Sequence, residues 1–125
     1  ADCIIPWASV VVRKSFGVAQ GAHYGADAHV LTWPSAEMGP LPVEGGVAVA
    51  FGREIAAAPD PDARRRELEE MMAQRQSAFP RAESFSVHEM IDPRDTRPEL
   101  CRWIEWVQPL LADQLGPRGF PYRAG

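Results

Sequence analysis

The chain has 125 residues, enough for one domain around a single core. Hydrophobic residues make up 46% and the formal net charge is −4, which argues against a disordered tail and against a basic nucleic-acid surface. No apolar run reaches the ~18–20 residues of a membrane span and no signal peptide is visible, so the expectation is a cytoplasmic protein with no membrane partner.

Along the chain, the β-branched run Ser9-Val10-Val11-Val12 predicts a buried strand over 8–12, apolar on both faces as in a parallel sheet, ending at Arg13-Lys14. A small-residue stretch, Ser15 to Ala22, follows and opens a helix; Gly17 and Gly21 permit tight turns or close packing. His29 to Trp33 predicts a second strand, stopped by Pro34, and Met38 to Pro42 a rigid loop. Over 43–57 the spacing of Val47, Phe51 and Ile55 predicts a helix, weakened at Gly52. Asp60-Pro61 is an N-cap followed by a first-turn proline, predicting a helix to about Ser77, ended by Phe79-Pro80. Its apolar stripe is Leu68, Met71 and Met72, with Arg65–Glu69 and Arg66–Glu70 spaced for ion pairs. Alternation of Phe85, Val87 and Ile91 predicts a third strand over 85–91. Thr96 to Glu99 has the spacing of a capping box. The helix after it carries Leu100, Trp103, Ile104, Val107 and Leu111 on one side, and Pro109 should kink it or end it early. An irregular tail over 115–125 closes the chain. Strands alternating with helices predict an α/β domain, and three short strands are few for a covered sheet, a sign that part of the sheet lies elsewhere.

Few residues carry a local chemical signature. Phe16 to Ala22 follows a buried strand and opens a helix, whose first amides are unpaired and carry partial positive charge. Such a turn can form an oxyanion hole or simply pack a strand onto a helix, and spacing alone favours packing. His23, Asp27 and His29 lack metal-ligand spacing, and no metal site is expected. His88 reads as a surface or hydrogen-bonded histidine, and Ser15 lacks a nucleophile elbow. Arg64 to Arg66, balanced by Glu67, Glu69 and Glu70, reads as a solvated helix face. Cys3 and Cys101, far apart and without a CxxC, read as free thiols. The chain opens on Ala1, so the expectation is either an upstream segment removed or a piece cut from a longer chain.

Three segments in order resemble one family. Val10-Val11-Val12-Arg13-Lys14-Ser15-Phe16-Gly17-Val18-Ala19 resembles the V-I-x-R-K-A-Y-G-G-A-Y segment of the carboxyltransferase (β) subunits of biotin-dependent acyl-CoA carboxylases, such as those for propionyl-CoA and methylcrotonyl-CoA. Gly25-Ala26-Asp27 and Trp33-Pro34-Ser35-Ala36-Glu37 resemble their G-A-D and A-W-P-T-A-E, and Ile91-Asp92-Pro93-Arg94-Asp95-Thr96-Arg97 resembles their V-I-D-P-R-E-T-R. The likeness runs over about residues 4–111. It departs from the family at Val18, where the family has a second glycine, at Gly21, where it has an aspartate associated with acyl-chain selection, and at Pro40 and Pro42.

The resemblance implies a crotonase-like ββα superhelix, present as a partial domain, with residues 1–125 forming the second half of a carboxyltransferase C-terminal domain. It implies carboxylation at the α-carbon of an acyl-CoA thioester, with carboxybiotin on a separate carrier protein as donor. Two oxyanion holes would hold the thioester enolate and the biotin ureido oxygen, and no side-chain base is required. Carried over by position, the biotin-side hole is formed by the backbone amides of Val18 and Ala19, with Phe16, Gly17, Gln20 and Gly21 as biotin- or substrate-binding residues. The implied partners are a polypeptide carrying the upstream half, a biotin carrier and biotin carboxylase subunit, and acyl-CoA, in an oligomer. Two alternatives remain: a crotonase-superfamily acyl-CoA decarboxylase or hydrolase without biotin, and a non-catalytic assembly subunit.

Overall fold

A computed structural model describes residues 5–24 and 28–112. Cys3, the Gly25–Asp27 motif and the 115–125 tail lie outside the described residues. Strand β1 (Trp7–Val11) turns a corner into a short strand β2 (Lys14–Phe16), which runs directly into helix α1 (Gly17–Tyr24). The order then repeats: β3 (Ala28–Thr32), β4 (Glu37–Gly39) and α2 (Val43–Ala57). Equivalent strands pair in parallel, β1 with β3 and β2 with β4. Each repeat therefore lays one strand in a larger sheet, bends, lays one in a smaller sheet and leaves by a helix. Two stacked ββα turns of this kind make the expected crotonase-like superhelix, present in part.

The corners are what the repeats share. Trp33 N donates to Val11 O (2.9 Å), Ser35 Oγ to Val12 O (2.8 Å) and Glu37 N to Arg13 O (2.7 Å). Every backbone acceptor of the first corner, from Val11 to Arg13, is thus taken by the second. This stitching is why the chain resumes as β2 where the sequence suggested only a strand end, and why Glu37–Gly39 is a strand rather than part of a rigid loop. The prolines of that loop, Pro40 and Pro42, fall just past the ladder, where a missing donor costs nothing.

The larger sheet has the order β1-β3-β5, where β5 is Glu89–Met90. Central β3 is enclosed, with Leu31 and Thr32 at 0% exposure. Edge strand β1 is not: of its five residues only Val11 is buried, and Val12 beyond it is exposed. The expectation of a strand covered on both faces, made for 8–12, therefore fails for β1, which among the described residues has a neighbour on one side alone; it is β3 that is enclosed. The third strand is also much shorter than the alternation over 85–91 suggested. Phe85 takes a positive φ of 54° and is exposed, and only Glu89 and Met90 join the ladder. His88 explains the early break: its backbone N donates to Val30 O (2.8 Å), while its ring Nδ1 accepts from Val30 N (3.0 Å). An imidazole replaces a backbone carbonyl and ends the regular ladder there.

Helix α2 occupies the expected residues and buries Val47 and Ile55 on the expected face, with Phe51 half-buried. Phe51, next to Gly52, leaves helical geometry (φ −124°, ψ 15°). Helix α3 (Pro61–Gln76) is capped as its sequence indicates, Asp60 Oδ1 accepting from the Asp62 (3.1 Å) and Ala63 (2.9 Å) amides. It packs Leu68, Met71 and Met72 against α2. Its ion pairs differ from the expected ones. Arg64 bridges Glu54 of α2 and Glu67, and among the described residues neither Arg65 nor Arg66 pairs with a glutamate. A cation between two helices meets a carboxylate on each, whereas Arg65 and Arg66 point to solvent. Phe79-Pro80 does not stop helical structure. Ser77 makes one extended step, and Pro80 enters the first turn of α4 (Ala78–Glu83), where proline is tolerated.

Helix α5 (Thr96–Ala112) runs three residues beyond Pro109, so the proline does not end it early. The capping box does not form. Thr96 lies in helical geometry at the end of a 3-10 turn, Pro93–Asp95, and its Oγ1 donates to Pro93 O (2.8 Å) and accepts from Trp33 Nε1 (2.9 Å). Glu99 instead pairs with Arg102 (2.6 Å). The local N-terminal signal is supplied by Asp92, which accepts from the Arg94 amide (2.9 Å) and side chain, holding its carboxyl down at a pKa of about 2. Leu100, Trp103 and Val107 are half-buried, but Ile104, Trp106, Leu110 and Leu111 are exposed, and no residue of the helix is fully buried. Trp106 reaches back edge-on to His29, which in turn lies against His88, ring centroids 4.9 Å apart.

Two outcomes follow from these contacts. Thr96→Ala leaves the half-buried Trp33 indole without its protein acceptor and should cost about 1 kcal/mol, whereas Thr96→Ser should cost little; denaturant midpoints of the complete protein read the difference. The second concerns pH. Burial, then the neighbouring His88, lowers the His29 pKa below its ordinary 6.5, against the opposing pull of Glu89 and Glu99. The unfolded chain therefore takes up this proton first as pH falls. The stabilisation is complete above pH 6.5 and is lost as pH drops toward the folded value. The unfolding midpoint should fall over that window in wild type and less in His29→Gln.

Candidate functional site

The small-residue turn is the junction of β2 and α1. Phe16 ends β2, half-buried and paired with Gly39 of β4. Gly17 follows at φ +73°, which lets the strand pass into the helix with no connecting loop. A Cβ there would meet only Pro40 O, at 3.7 Å, so backbone conformation rather than space demands glycine. Val18 and Ala19 then form the first helical turn, fully on the surface, with the Val18 side chain 94% exposed. First-turn amides have no partner inside their own helix, and among the described residues no other backbone carbonyl accepts from these two. The expected second glycine is therefore unnecessary here: valine supplies the same N–H in ordinary helical geometry and turns its side chain to solvent. Gly21 is also exposed, and a side chain added there would meet nothing within 4 Å.

Gln20 differs from its neighbours. It is half-buried, and with its amide nitrogen toward the strand ends it donates to Ser15 O (3.0 Å) and Gly39 O (3.1 Å). The loop beyond β4 is held from the other side by Gln76 of α3, whose Nε2 donates to Leu41 O (2.7 Å). Gln76 is 3% exposed and packs so closely on Gly39 that a Cβ would lie 3.2 Å from its Cγ. Gln76 carries no motif of its own. The available signal was position: Leu68, Met72 and Gln76 recur every four residues, so an amide occupies the apolar stripe of α3.

The charges near the turn are few. Lys14 opens β2 and lies 3.5 Å from Glu44 in the first turn of α2. The Glu44 carboxyl is held below its ordinary pKa, first by its own backbone amide and then by Lys14. Tyr24, at the far end of α1, donates its hydroxyl to Met38 Sδ (3.0 Å), and Ser9 Oγ donates to His23 O (2.6 Å), so the C-terminal end of α1 is tied to the sheets. Along the outer side of β1 an open groove of about 450 Å³ extends from Ala8 to Ser15 and ends at His23 and Tyr24. Among the described residues no side-chain general base faces the first turn of α1, and the histidines lie elsewhere: His23 at the helix end, His29 and His88 beneath α5. What the junction offers chemically is two backbone donors at a helix N-terminus, beside a small side chain, suited to oxygen that gains negative charge.

Comparison with known proteins agrees with the repeat architecture. The family described as carboxyl transferase domain matches residues 1–108. The methylmalonyl-CoA carboxyltransferase 12S subunit of Propionibacterium freudenreichii subsp. shermanii is 38% identical over 110 residues, 84% of this chain and 21% of that one. The carboxyltransferase subunit of propionyl-CoA carboxylase from Haloferax mediterranei is 35% identical over 105 residues, 80% of this chain and 20% of that one. The crystal structure of transcarboxylase 12S with methylmalonyl-coenzyme A and methylmalonic acid bound superimposes with a TM-score of 0.77 at 34% identity, over 97% of this chain and 23% of that one. The chain thus spans about a fifth of the length of the curated relatives it matches.

Proposed function

Given that the chain belongs to the carboxyl transferase domain family, we propose that it is part of the carboxyltransferase component of a biotin-dependent acyl-CoA carboxylase, forming the second half of its C-terminal domain. The observation that carries this reading is the junction of β2 and α1: two free amides, on Val18 and Ala19, at a helix N-terminus entered through a positive-φ glycine. It falls within the segment whose sequence resembles the family's biotin turn. The first turn is exposed and the Ala19 side chain small, so both donors are open to a ligand.

Carboxybiotin, when bound, would supply the carboxyl group. The chain's own part is narrower. Val18 N–H and Ala19 N–H would hold the ureido oxygen and stabilise negative charge there, and the α1 dipole would add to them. Gly17 lets both donors follow directly from β2. Phe16 and Gly21 lie on either side of the donors as biotin- or substrate-binding positions, Gly21 leaving open the space where the family resemblance places an acyl-selecting aspartate. A second oxyanion hole, for the thioester enolate, would come from the remainder of the carboxyltransferase. The acyl-CoA, the biotin carrier and the biotin carboxylase subunit are the partners of that assembly.

The polypeptide carrying the upstream half is the partner that the sheet itself asks for. Among the described residues β1 and β2 each have one unpaired edge, and the groove along β1 lies where a preceding ββα turn would add parallel strands. Expressed alone, the chain should aggregate or self-associate through these edges, and light scattering should show a defined complex only on co-expression with the upstream half. A monodisperse monomer with cooperative unfolding would overturn this.

The reacting turn is tested in the complete assembly, with biotin carrier and a panel of acyl-CoA thioesters. Val18→Ala should change the carboxylation rate little, because its side chain faces solvent. Ala19→Pro removes one donor from the first turn, where no internal helix bond is lost, and should slow the rate by a factor on the order of 10²–10³. A folded Ala19→Pro assembly that carboxylates at the wild-type rate sinks the assignment. Turnover of acyl-CoA without biotin would favour a crotonase-type decarboxylase or hydrolase, and no turnover of any kind a purely structural subunit.

A further inference from the structure

The first turn of α1 needs a fixed direction if its amides are to meet a developing charge, yet almost nothing packs on it. No residue of α1 is buried, and Val18 and Ala19 touch solvent. Gln20 is the exception. With its amide turned so that the nitrogen faces the strand ends, the orientation that satisfies both of its polar atoms, it donates to Ser15 O at 3.0 Å and to Gly39 O at 3.1 Å. Those carbonyls belong to β2 and β4, the two paired strands of the smaller sheet, so one side chain ties the helix to both. Ser15 lies two residues before Gly17, and Gly39 immediately precedes the Pro40 carbonyl that borders Gly17. Two carbonyls can both be satisfied by the two hydrogens of one amide, whereas a hydroxyl, with one hydrogen, can satisfy only one.

Resting on the oxyanion reading of Val18 and Ala19, we infer that Gln20 is a positioning residue: its side-chain amide locks the first turn of α1 to the ends of β2 and β4 and so sets the direction of the two backbone donors. Its nitrogen is engaged by protein carbonyls, and it acts on the reaction through the backbone rather than by touching biotin or acyl-CoA. Geometry of this kind matters to rate more than to binding, because misdirected donors stabilise the transition state less while leaving acyl-CoA contacts elsewhere intact.

The test is steady-state kinetics of the complete assembly with free biotin or the biotin carrier, comparing Gln20→Met, which keeps the length and removes both donors, with Gln20→Lys, which keeps donors at the same place. Gln20→Met should lower kcat about tenfold or more with acyl-CoA KM unchanged within about twofold, and Gln20→Lys should recover most of the loss. If Gln20→Met lowers the unfolding midpoint, Gln20→Asn, one methylene too short to reach both carbonyls, replaces it in the same comparison. A kcat for the folded Gln20→Met assembly, or for Gln20→Asn where it replaces it, within about twofold of wild type overturns the role. So does a loss that lysine does not restore, or one confined to acyl-CoA KM. A wild-type assembly with no biotin-dependent carboxylation is a different failure: it removes the oxyanion reading itself, and Gln20's role falls with it.

Discussion

Everything else in this fold depends on the bond set between its two corners. Val11, Val12 and Arg13 offer three successive carbonyls, and Trp33, Ser35 and Glu37 take them. Because the second corner copies the path of the first, both sheets stay in parallel register at once, and the helices leave from the same side of each turn. The corner also reaches the last helix: Trp33 donates from its indole to Thr96, fixing where α5 begins. The described parts of the segments that carry the family resemblance, 10–19, 33–37 and 91–97, are thus a single contact network in space. The first two lie one ββα turn apart, and α2, α3 and α4 separate the third from them.

The candidate site inherits its geometry from that stitching. β2 exists because the corner places it beside β4, and α1 starts where β2 stops. The amides proposed to hold negative charge are therefore positioned by backbone pairing, with glycine at the one residue where the turn requires a positive φ. The absence of a side-chain base near the turn, among the described residues, suits a chemistry in which the protein's task is to stabilise charge rather than to move protons. Substitution of the family's second glycine by Val18 changes the surface of the turn without removing a donor.

Surfaces left uncovered are consistent with a chain that contributes part of a larger sheet. Among the described residues one edge each of β1 and β2 is unpaired, and α5 shows Ile104, Trp106 and Leu110 to solvent. By contrast the α2–α3 hairpin is self-sufficient: Val47, Ile55 and Leu68 are buried against one another, and Arg64 links the two helices through Glu54. Stability is unevenly distributed, with a closed helical pair on one flank and an open strand edge on the other.

Periodicity and caps determined the local elements directly. The stripe of Val47, Phe51 and Ile55 and the Asp60-Pro61 start placed α2 and α3, because amphipathic spacing and capping act within a few residues and need no partner. The Gly17 turn and the order of the motifs were legible for the same reason, as was the fold through its family resemblance. Tertiary structure decided what depends on neighbours distant in sequence. The three-residue strands β2 and β4 have no pattern of their own and exist through each other. Thr96, spaced for a cap, is drawn away by Trp33, sixty-three positions earlier. The alternation at 85–91 yields to a histidine ring that takes a ladder hydrogen bond from Val30. Gln20, which reads as a binding residue by position alone, is turned inward by two carbonyls that only the pairing of β2 with β4 brings within its reach.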